Sequence, residues 1–232
     1  MTTSTGTPSD GGTQFGVLFF EGCDELDAIG PANLFFAIEA TRAYIDAIPP
    51  TRVHLIAETM DPIRSGNGVV LQPSTDYAAC PPLDVLVVAG GSGGPGEPGG
   101  RLREIHNEAT LAFIRQAAAR DGAIVASVCT GSFLLAGAGL LAGRRANTHW
   151  LMRDELCRLM AERDEAFELV PERIVDDGDV VTSGGVTSGI DLAVHLIGRV
   201  LGDQAAGAVA LGVERETPGS RDEALASVSG SR

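Results

Sequence analysis

The chain has 232 residues, 44% of them apolar and 21% charged, with a net charge of −14. That length suits one α/β domain, or two small ones, with a real core. The acidic balance argues against nucleic acid as a partner, and no apolar run approaches the ~18 residues of a membrane span.

Residues 1–13 are polar and Gly-rich and are expected to be a disordered tail. Met1–Asp10 has neither the basic start nor the apolar stretch of a signal peptide, so a soluble cytoplasmic protein is expected. A first strand is predicted at Gln14–Phe20. The loop Glu21-Gly-Cys-Asp-Glu-Leu26 then leads into a helix starting between Asp27 and Pro31 and ending near Ala40. Val53–Glu58 reads as a second strand, and Val69–Gln72, after the turn Ser65-Gly-Asn-Gly68, as part of a hairpin. Asp84–Ala89 is apolar enough to be a strand buried on both faces. A Gly-rich loop, Gly90–Gly100, follows it, and Leu102–Arg120 has the periodicity of one amphipathic helix.

Ala123–Val128 is the next buried strand. It runs into Cys129, the turn Thr130-Gly131-Ser132 and the apolar helix Phe133–Leu141. Another helix lies within Asn147–Glu162. Ile174–Asp177 and Val180–Ser183 flank Asp177-Gly178, a hairpin signal, and Ser188–Leu201 and Gln204–Val213 read as closing helices. Residues 14–213 therefore form a single domain, and 214–232 a loose tail. Strands alternating with helices predict a mostly parallel sheet covered on both faces, with ligands bound beyond the carboxyl ends of the strands. The loops before Asp27, at Gly90–Gly94 and at Cys129 should gather there.

A thiol at a strand-to-helix turn lies in the positive field of free backbone N–H groups, which favours the nucleophilic thiolate. Cys129 is the candidate nucleophile, against the plainer reading of a packed structural cysteine. Asp27 is the candidate acid, against an N-cap role. Cys23, Asp24 and Glu25 share its loop and are its rivals. His149 is the candidate for a Cys–His dyad, which sequence alone leaves open. His54, His106 and His195 show no metal-ligand spacing with one another or with cysteine, so no metal is expected. Cys80 and Cys157 read as small hydrophobes, and the four cysteines contain no CxxC pair.

Gly90-Gly-Ser92-Gly-Gly94 fits the G-x-S-x-G pattern, and Gly91–Gly96 fits G-x-G-x-x-G. Both motifs need a helix directly afterwards, and Pro95-Gly-Glu-Pro98 opposes one. The loop is either a polar cradle of backbone N–H groups built by Gly91, Ser92 and Gly93 or a plain surface loop.

These residues together resemble the ThiJ/PfpI superfamily, which shares its fold with class I glutamine amidotransferases. The likeness runs from about Gln14 to Val213. It rests on Leu26-Asp27-Ala-Ile-Gly30-Pro31, Cys80–Val85, Gly90–Gly93, Ser127-Val-Cys129-Thr130-Gly-Ser132, Ala138–Gly143, Asn147-Thr-His149-Trp150 and Gly184–Asp191. The segments look nearest to the isocyanide-hydrating branch, in which Asp replaces the glutamate of many members. The Cys-Thr-Gly and Thr-His-Trp segments also resemble N-terminal domains of AraC-type regulators, which append a helix-turn-helix region not read in this chain.

The resemblance implies a flavodoxin-like three-layer α/β sandwich, a homodimer, and no cofactor. It implies Cys129 as nucleophile, Asp27 as acid, Thr130 as a positioning residue, and Gly91 with its neighbours as the cradle. The implied activity is hydration of a small electrophile, an isocyanide, to an N-substituted formamide through a thioimidate. Glyoxalase-like or amidase-like chemistry and a ligand- or redox-sensing module are the alternatives. Ala89, where the superfamily has proline before the double glycine, and the Gly/Pro-rich segment 95–100 are departures that bear on pocket shape.

Overall fold

A computed structural model describes residues 12–43, 48–92 and 99–215. The strands are β1 (Thr13–Leu18), β2 (Thr51–Ala57), β3 (Ile63–Arg64), β4 (Val70–Leu71), β5 (Thr75–Asp76), β6 (Val85–Val88), β7 (Ile124–Ser127), β8 (Arg145–Ala146), β9 (Glu168–Leu169), β10 (Ile174–Asp176) and β11 (Val180–Ser183). The helices are α1 (Glu25–Arg42), α2 (Arg101–Glu104), α3 (Glu108–Ala118), α4 (Gly131–Gly137), α5 (Arg153–Glu162), α6 (Ser188–Leu201) and α7 (Asp203–Gly212).

Seven strands make the central sheet in the order β10-β11-β7-β6-β1-β2-β5, parallel except for β10. All residues of β6, β7 and β11 are buried, as unbroken apolar and β-branched strands require in a sheet covered on both faces. α1, α6 and α7 pack on one another as one layer, and α2 to α5 as the other. Phe15 on β1 stacks on Phe35 of α1 at 4.5 Å between ring centres, tying the first helix to the sheet. The expected three-layer α/β sandwich is therefore present.

The helix expected over Leu102–Arg120 is two helices. Asn107 accepts hydrogen bonds from Ala109 N (3.1 Å) and Thr110 N (3.5 Å), which makes it the N-cap of α3. A side-chain amide that satisfies free backbone donors restarts the helix, and an apolar periodicity running across the break hides it. β5, β8 and β9 are two-residue strands without a pattern of their own. At the far end, Arg215 N donates to Ala210 O at 2.9 Å, so the first residues after α7 are held to the fold. The rest of the expected C-terminal tail and residues 1–11 of the expected N-terminal tail lie outside the described residues.

Candidate active site

β7 lies beside β6, the middle strand of the sheet, and Cys129 follows β7 by two residues. The chain turns there with φ +55° at Cys129, a left-handed conformation that costs a non-glycine residue about 1–2 kcal/mol. Neighbours hold the turn on every side. Cys129 N donates to Gly184 O (3.0 Å). Its carbonyl accepts from Ser132 Oγ (3.2 Å) and from Thr148 Oγ1 (3.0 Å), and both hydroxyls are fully buried. A Cβ on Gly131 would stand 2.3 Å from Val88 O, so only glycine lets α4 begin this close to the end of β6.

Asp27 comes from the first turn of α1 and is fully buried. It is not the N-cap: Asp24 fills that place, accepting from Leu26 N at 3.0 Å. One Asp27 oxygen, Oδ2, accepts from Gly90 N at 3.2 Å, while Oδ1 is buried without a hydrogen-bond partner. Burial, helped by the negative charge of Asp24, raises the carboxyl pKa to about 8, against the opposing pull of Cys129 and the Gly90 N–H. Burial thus favours the neutral, proton-bearing form of Asp27.

The thiol does not follow the expectation of a thiolate. Burial, and next the charge of Asp27, push the Cys129 pKa up; the Thr130 backbone N–H, placed as the helix field predicts, only partly opposes them. Sulfur and carboxyl each alter the other's hold on a proton, as two groups facing the same small space do. Burial therefore favours the proton-bearing form of both side chains.

Thr130 is buried, and its Oγ1 accepts from Gly91 N (2.9 Å) and lies 3.2 Å from Gly91 O. The Gly91 amide, expected as part of a cradle for substrate, is thus engaged by Thr130, and the Gly90 amide holds Asp27. Ser92 is exposed, α2 begins only at Arg101, and Gly93 lies outside the described residues with most of the segment 95–100. Among Asp27's rivals, Cys23 is buried with its pKa raised to about 12, Asp24 caps α1, and Glu25 accepts from Asn67 at the surface. His54 pairs with Gln14 (2.8 Å) and His195 with Asp176 (2.6 Å). No metal-binding cluster of His, Cys, Asp or Glu occurs among the described residues, nor any helix long and apolar enough to cross a membrane.

Sequence reasoning missed Gly184, Gly185, Thr148 and Ser132 as site residues. Gly185 matters because a Cβ there would lie 2.8 Å from Cys129 Sγ and 2.4 Å from His149 Cδ2. The available signal was the pair Gly184-Gly185 directly after a buried strand.

Residues 15–199 match the DJ-1/PfpI family. The isonitrile hydratase of Pseudomonas putida is 40% identical over 202 residues, 87% of this chain and 78% of that one. The HTH-type transcriptional regulator GbdR of Pseudomonas aeruginosa is 30% identical over 161 residues, 68% of this chain but 40% of the regulator. Among solved structures, a ThiJ/PfpI family protein from Pseudomonas syringae superposes with a TM-score of 0.74 at 25% identity, covering 98% of this chain and 93% of that one.

Proposed function

The chain belongs to the DJ-1/PfpI family, and from that footing we propose that it hydrates isocyanides to N-substituted formamides, with Cys129 as nucleophile and Asp27 as acid. The observation that carries this reading is the fully buried Asp27 carboxyl, held on Gly90 N with its pKa raised by burial, beside the strained Cys129 turn. The likeness to an isonitrile hydratase supports the substrate class.

An isocyanide carbon must gain both a sulfur and a proton. Asp27 gives its proton to that carbon as the S–C bond forms, and the thiol proton replaces it on the carboxyl. The product is the thioimidate Cys129–S–CH=N–R. Water then adds to the same carbon. One water proton ends on nitrogen, the C–S bond breaks, and the remaining hydroxyl proton returns to sulfur with release of R–NH–CHO. Thr130, anchored on Gly91, keeps the turn next to Cys129 fixed during both halves.

Incubation with cyclohexyl or aryl isocyanide, followed by mass spectrometry, tests this. Formamide release by the wild type is expected, and its absence sinks the substrate assignment. Full activity in Cys129→Ala sinks the mechanism. A sensing role is the second reading, favoured by the likeness to a regulator. Stable oxidation of Cys129 without turnover of any electrophile would support it.

A further inference from the structure

His149 is a polar side chain near the sulfur that the chemistry above leaves idle. Its placement follows from the sheet order. β7 lies between β6 and β11. Asp27 reaches Cys129 from the β6 side, against Gly90. His149 reaches it from the β11 side, across Gly185, where the ring edge and the sulfur face the same missing Cβ. The two groups flank the thiol from opposite strands.

The segment that carries His149 is anchored. Asn147 N donates to Thr182 Oγ1 (2.8 Å) and Thr148 Oγ1 to Cys129 O (3.0 Å). The ring's protonation pattern is set as well: Leu151 N donates to Nδ1 at 3.3 Å. A nitrogen that accepts a hydrogen bond carries no proton, so the neutral ring holds its proton on Nε2, the atom bonded to the Cδ2 beside Gly185. Such a ring cannot take the thiol proton at Nδ1. It can donate from Nε2.

We infer that His149 Nε2–H donates a hydrogen bond to the substrate-derived nitrogen of the thioimidate, opposite Asp27. This rests on the function proposed above. As water adds to the C=N carbon, negative charge builds on nitrogen, and a fixed donor there lowers that barrier. Asp27 serves the carbon; His149 serves the nitrogen. Gly185 is a positioning residue, because any side chain at that place would drive the ring and the sulfur apart.

The test uses the full chain, a cyclohexyl isocyanide, and His149→Phe and His149→Gln beside the wild type. Rapid quenching with intact-mass analysis separates formation of the Cys129 adduct from its decay. In His149→Phe the adduct should form at the wild-type rate and decay about 100-fold more slowly. In His149→Gln, which keeps an N–H donor, most of the decay rate should return. Wild-type decay in His149→Phe overturns the inference and leaves the proposed function standing. So does equal slowing of formation and decay, which marks a merely structural residue. A wild type that forms neither adduct nor formamide overturns the proposed function and this inference together.

Discussion

Asp84 and Asp27 stand at the two ends of β6 and differ in exposure and pairing. Asp84, at the start of the strand, accepts from Gln14 N (2.7 Å) and pairs with Arg120 (2.6 Å), with its side chain 30% exposed. Asp27, at the far end, has no exposure, one backbone donor, and an oxygen with no partner. The first carboxylate is satisfied and joins strand to helix. The second is held uncharged where charge is costly, and retains a proton it can give away. On the proposed function, the sheet keeps stability at one end and reactivity at the other.

The comparison can be broken most severely at the sulfur that Asp27 serves: Cys129→Ala should bring formamide production down to the uncatalysed background, measured by mass spectrometry. Asp27→Asn comes next, with a loss of about 100-fold or more in kcat, since general acid–base catalysis contributes on that scale. The same variant sharpens the contrast through stability. Folded Asp27 keeps its proton up to about pH 8, whereas the ordinary carboxyl loses it at 3.8. Between those values the unfolded chain binds fewer protons than the folded one, so this residue makes stability fall as pH rises. The Tm advantage of Asp27→Asn over wild type should therefore grow from pH 4 to pH 8 and level off above. Wild-type kcat should drop above pH 8, as ionised Asp27 can no longer protonate carbon. Thr130→Val, which deletes the acceptor of Gly91 N, should cost about tenfold in kcat. The smallest effect belongs to the other end: Asp84→Asn should leave kcat untouched and lower stability by about 1 kcal/mol in a urea melt.

Much of this was legible in the residues. The buried strands β6, β7 and β11 announce themselves as β-branched runs, and Cys129 is marked by the small-residue turn behind it. Asp27 was legible as a candidate acid, but its N-cap rival could be dismissed only once Asp24 was seen to cap α1. The raised thiol pKa was not legible at all. A sequence displays the helix start that favours a thiolate, but the burial that outweighs it is a sum over distant elements. Thr148 and Gly185 escaped for the same reason: each acts by a contact across 19 or more positions that no local period encodes. Asn107 was present in the sequence as a cap, and the apolar stripe running past it hid the break.

The strand order carries a last consequence. Asp27 rides with the first strand and Cys129 with the seventh, and they meet only because β6 is clamped between β1 and β7. A nick at the exposed Asp121-Gly122 turn would leave the acid in one fragment and the sulfur in the other. Neither piece would own the proposed reaction, and regained turnover on mixing them would report that the central sheet had reassembled.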